Sequence, residues 1–153
     1  MNPLPAVQAS LPKLCVAVTT KSIVMGATAS RDWQPLHHDV VWAQSSGRLP
    51  NIIMNNYTQA GLISRYVTDW SGPAGRIGRL QFSMRSPLCP GDEVELSGTI
   101  QDIGRERDFI WVGIAIELAV GARIATTATV RLALPAAEEA PSVWHLRGEA
   151  WRP

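Results

Sequence analysis

The stretch Asn51-Ile52-Ile53-Met54-Asn55-Asn56-Tyr57-Thr58-Gln59-Ala60-Gly61-Leu62-Ile63-Ser64-Arg65-Tyr66-Val67-Thr68-Asp69-Trp70 decides the fold. Leu62, Tyr66 and Trp70 recur every four residues, with Ile63 and Val67 beside them. That spacing predicts one long helix over 51–70 with an apolar stripe too wide to leave in water. Ala60, Gly61 and Ser64 are small and predict the close approach of another backbone. Ser71-Gly72-Pro73 stops the helix. A helix of this kind needs a sheet to cover it.

The sheet is legible downstream. Gly78 to Met84 reads as a short strand, followed by a turn-rich link over Ser86 to Asp92. Glu93 to Ile103 alternates, with Val94, Leu96 and Ile100 on one side. Phe109 to Glu117 is apolar on both faces, which places it centrally. Ile124 to Leu134 carries Ala128, Val130, Leu132 and Leu134 at even positions. Gly104 to Asp108 and Ala119 to Ala122 are the hairpin turns between them.

Upstream, Lys13 to Met25 is rich in Val, Thr and Ile and predicts a strand broken by Gly26. His38 to Ser46 predicts a short helix, with Asp39 in its first turn and Gly47 ending it. The expected class is α+β: a single hot-dog domain over 13–134, a curved antiparallel sheet wrapped around one long central helix. Residues 1–12 form an irregular arm. Residues 135–153 form a tail whose Trp144 and Trp151 cover a partner subunit or the open sheet face.

With 153 residues, 46% hydrophobic and 18% charged, the chain can build a real core and is not a disordered type. A net charge of +1 and the lack of a basic stripe argue against nucleic acid or a membrane as partner. Cys15 and Cys89 read as free thiols, buried or half-buried. They make no disulfide framework, and no Cys/His spacing indicates a metal. Neither a signal peptide nor a bilayer-spanning run is read, so the expected location is cytoplasmic.

The remaining stretch is Ser30-Arg31-Asp32-Trp33-Gln34-Pro35-Leu36-His37-His38-Asp39. Pro35 fixes its own φ and biases Gln34 away from the helical region. The turn can thus aim one carboxylate, Asp32, and one imidazole, His37, at one spot. Taken alone, Asp32 also reads as a cap and His37 as a structural histidine. His38, Asp39 and Asp92 read as structural, and Arg105 and Arg107 as a solvated hairpin tip.

Asp32-Trp33-Gln34-Pro35-Leu36-His37 resembles the D-x-N-P-x-H turn of the MaoC-like hydratases, the (R)-specific enoyl-CoA hydratase group. Its place ahead of a long buried helix and a later Pro-Gly-Asp turn strengthens the likeness. Asn55 to Gly61 and Val67 to Trp70 are similar to the branch acting in acyl-CoA and sterol side-chain breakdown.

The resemblance implies reversible addition of water across the 2,3 double bond of an acyl-CoA thioester. Asp32 and His37 would be the catalytic pair. Gln34 and the helix N-terminus at Met54, Asn55 and Asn56 would bind substrate and its developing oxyanion. No cofactor or metal is implied, since coenzyme A is part of the substrate. The resemblance also implies a homodimer or higher homo-oligomer, or a heterodimer with another MaoC-like chain.

Two departures stand out. Gln34 replaces the family's Asn, and Met54-Asn55 stands where many members have His-Gly. They motivate one alternative, a non-catalytic partner subunit of a heteromeric hydratase; another, an acyl-CoA thioesterase, comes from the hot-dog resemblance, since hot-dog proteins also hydrolyse acyl-CoA.

Overall fold

Val94, Leu96 and Ile100 alternate along β3 (Glu93–Arg105) and are all buried. The same period sends Ile110, Val112, Ile114, Ile116 and Leu118 inward from β4 (Phe109–Val120). β5 (Arg123–Pro135) adds Ala128, Val130 and Leu132. With β1 (Leu14–Ala17) and β2 (Arg76–Met84) they form one antiparallel sheet of order β1-β3-β4-β5-β2. β4 is central, as its two apolar faces require. The computed structural model describes residues 5–153.

The long helix, α3 (Asn56–Ser71), lays Ile63, Tyr66 and Val67 into the core formed by that sheet, with Leu62 and Trp70 packed alongside. This is the α+β hot-dog arrangement. Gly72, with φ 67°, closes the helix and donates its N–H to Thr68 O.

Three local expectations are corrected. The helix starts at Asn56 rather than 51, because the Asn55 side chain takes the Thr58 N–H and so acts as N-cap. Residues 51–55 are held extended by Ile53 N–H to Leu36 O (3.0 Å) and Met54 N–H to Leu88 O (2.9 Å). The first strand ends at Ala17, and Thr20–Ala29 is a helix, α1. Thr19 and Ser22 satisfy each other's backbone N–H groups in a reciprocal capping box, which outweighs the β-branched composition. Gly26 therefore lies inside a helix. Finally, nothing lies within 4 Å of a Cβ built on Gly61, whereas one on Gly26 would overlap Thr58 of α3. The close helix approach is made there.

Residues 1–4 of the expected arm lie outside the described residues; its remainder, 5–12, is more regular than expected. Ser10 pairs with Thr99, Gln8 N–H donates to Ile100 O, and Leu11 is buried. The tail folds back on its own sheet. Trp151 lies 4.9 Å from Trp111 on the face opposite the main core. The Arg76 guanidinium sits 3.6 Å over Trp151 and donates to the carbonyls of Val143 (3.3 Å) and Leu146 (3.0 Å). A Cβ on Gly78 would overlap Pro153 and Trp111, so the missing side chain makes room for the tail. Cys15 is exposed, against expectation, and Cys89 is half-buried. No helix among the described residues is long and apolar enough to cross a membrane.

Candidate active site

α1 ends by placing a carboxylate. Arg31 takes a left-handed conformation, φ 54°. Arg31 N–H donates to Thr28 O and Asp32 N–H to Ala27 O, which is the Schellman pattern. The turn at Arg31 thereby throws Asp32 back against the start of α3. Gln34 follows with φ −63° and ψ 129°, the extended conformation that Pro35 imposes. Pro35–His37 is a single 3₁₀ turn, and Asp39 caps α2 (Val40–Ser45) through the Trp42 N–H.

His37 is buried and Asp32 nearly so, with 16% of its side chain exposed. His37 Nε2 lies 3.1 Å from Asp32 Oδ2. His37 Nδ1 lies 2.7 Å from the Ile53 carbonyl. A carbonyl only accepts, so the network assigns the Nδ1 proton to that bond. Two bare acceptors would repel at 3.1 Å, so this contact is a hydrogen bond when either partner carries a proton. Imidazole and carboxylate face each other in a largely dry site.

Asn55 completes the cluster and is itself buried. Its Nδ2 donates to Asp32 Oδ2 (3.1 Å) and to Ser30 Oγ (2.8 Å). Its Oδ1 accepts from Thr58 N–H (3.0 Å) and Thr58 Oγ (2.6 Å). Ser30 Oγ in turn donates to Gly26 O at 2.8 Å. α1, the turn and α3 thus meet in one hydrogen-bonded knot.

The structure brings Asp32, His37 and Asn55 together. It does not bring in the Gln34 side chain, which is exposed and caps nothing. Met54 is buried, but its N–H is taken by Leu88 O, which removes it as a free donor. Tyr57 N–H is taken by Asn56 Oδ1. Among the described residues no acceptor meets the N–H groups of Asn55 and Asn56, which sit at the positive end of α3. Ser30, Gly26, Thr58 and the Ile53 carbonyl were missed from sequence. An Asn beside an Asn at a helix start was the available signal for the cap. Nothing in the sequence marked Gly26 as its packing partner.

Residues 7–117 match the MaoC like domain family. The chain belongs to the MaoC-like family. Among MaoC-like relatives, it is 34% identical over 128 residues to a Mycobacterium tuberculosis protein, 3-oxo-4,17-pregnadiene-20-carboxyl-CoA hydratase beta subunit. That match covers 84% of this chain and 95% of the relative. A chain of the ChsH1–ChsH2 complex from the same organism superposes with TM-score 0.74 at 33% identity, covering 86% of this chain and 99% of that one. The (R)-hydratase of A. caviae involved in PHA biosynthesis superposes with TM-score 0.75 at 19% identity, over 86% of this chain and 98% of that one. The last likeness is one of fold.

Proposed function

We propose that this chain is the Asp/His-bearing subunit of an enoyl-CoA hydratase that works on a bulky, steroid-type acyl chain, in an assembly with a second MaoC-like chain. The observation that carries the reading is the 3.1 Å contact of Asp32 and His37 beside the N-terminus of α3. The hydratase beta subunit at 34% identity supports the substrate class and the assembly. A subunit that only shaped its partner's pocket would have no use for a buried carboxylate–imidazole pair.

The chemistry closes on these residues. Asp32 Oδ1, which has no donor among the described residues, holds water and takes its proton as the oxygen bonds to C3. The π electrons move towards the thioester oxygen. The Asn55 and Asn56 N–H groups face that developing charge. The proton on His37 Nε2 passes to C2. Asp32 then releases the proton from Oδ1 to water and Nε2 regains one, with no net proton consumed. One water is consumed, and the pair ends as it began.

The test follows enoyl-thioester absorbance and free thiol together, with a short and a bulky trans-2-enoyl-CoA. The chain is assayed alone and co-purified with a MaoC-like partner. Loss of absorbance without thiol release is the expected result. Thiol release would make the chain a thioesterase, and activity indifferent to Asp32 and His37 would leave it a non-catalytic partner.

A further inference from the structure

We infer that the Asn55 side chain is a positioning residue for Asp32, and this inference rests on the hydratase reading for its kinetic consequences. Where many family members resemble one another in a glycine, this chain spends all four amide functions of a buried side chain. Two fix Asn55 itself, through the Thr58 N–H and hydroxyl. One ties it to the end of α1 at Ser30. The last reaches Asp32 Oδ2, the same oxygen that faces His37.

Both donors therefore converge on one carboxylate oxygen. The carboxylate cannot rotate about its last bond without losing Asn55, His37 or both. Oδ1 is left as the oxygen that points away from the clamp. An amide suits this place because it is neutral and can accept and donate at once. A carboxylate could still cap the helix but would have nothing to donate to Asp32. Asn55 thus does two separable things: it caps α3 with its oxygen and orients Asp32 with its nitrogen.

Two substitutions separate these roles, because both keep the cap. Asn55→Ser keeps an N-cap oxygen and loses the amide donor. Asn55→Asp keeps the cap and adds a favourable negative charge at the helix start, while setting a second carboxylate against Asp32. Each is purified as the full chain, with its partner where one is needed. Thermal melts check that both fold.

A merely structural Asn55 predicts that Asn55→Asp is as active as wild type. The positioning role predicts the opposite order. Asn55→Ser loses about 10-fold in kcat, the scale of one charge-assisted hydrogen bond, and Asn55→Asp about 100-fold. KM stays within about twofold, since the backbone N–H groups remain.

A second readout needs no turnover. In ¹H–¹⁵N spectra of the imidazoles, the His37 Nδ1–H bonded to Ile53 should persist in both variants. The signal of a proton held between His37 Nε2 and Asp32, where wild type shows one, should be lost to exchange in both. Wild-type kcat together with an unchanged shared-proton signal would overturn the inference. If no enoyl-CoA is hydrated by wild type, the hydratase reading falls, and the spectra still decide whether Asn55 holds Asp32.

Discussion

Tyr66 carries the one buried side-chain polar atom without a hydrogen-bond partner among the described residues, its hydroxyl oxygen. The ring lies against Gly98 of β3, where even a methyl group would be crowded. The hydroxyl points towards the Gly98 backbone without meeting hydrogen-bond geometry, so the packing brings it close and leaves it unpaired. Burial pushes this hydroxyl above the usual tyrosine range. Above about pH 10 the unfolded chain then releases its proton before the folded one does, so stability falls as pH rises. Tyr66→Phe removes the unpaired group and leaves the shape. Melting curves should show a variant at least as stable at pH 7, by up to about 1 kcal/mol, and less sensitive to alkali. A clear loss of stability at pH 7 would mean that the hydroxyl has a partner in the protein as it exists.

Among the elements, α1 and α3 hold the site together, and Gly26 sets their separation. Alanine is the better helix former by about 1 kcal/mol. Yet a Cβ at Gly26 would overlap the Thr58 side chain that anchors Asn55. Gly26→Ala should therefore destabilise the fold by about 1–3 kcal/mol in denaturant titrations and depress hydration, despite the gain in propensity. A variant that is more stable and fully active would show that the helices need not approach so closely.

This element also marks where sequence reading stopped. The strands were legible because their period of two leaves a trace, as at Val94, Leu96 and Ile100. Helix α3 was legible from the four-residue spacing of Leu62, Tyr66 and Trp70. α1 was hidden because Val, Ile and Thr favour strands while a local exchange between Thr19 and Ser22 chose the helix. The Asp32–His37 pair was visible as a turn stiffened by Pro35. The side-chain role of Asn55 was not, since it depends on a contact across 23 residues.

Over the whole molecule, the chain closes one face of its sheet and leaves other surface bare. Trp151 and Val143 cover Trp111 with the chain's own tail. That answers for Trp151 the choice between partner and sheet. Trp33 in the Asp32–His37 turn and Tyr57 in the first turn of α3, by contrast, are exposed. Exposed single apolar residues are ordinary by themselves. On the function proposed above, activity is judged on the assembled protein, and the most direct test changes one atom of it. Asp32→Asn keeps the size of the side chain and its contacts with Asn55 and His37 within reach, but cannot take a proton from water. Turnover of a bulky trans-2-enoyl-CoA by the assembled Asp32→Asn protein should fall by about 100- to 10,000-fold with the fold intact. Near-wild-type turnover by that protein would contradict the assignment of Asp32 and His37 as the catalytic pair.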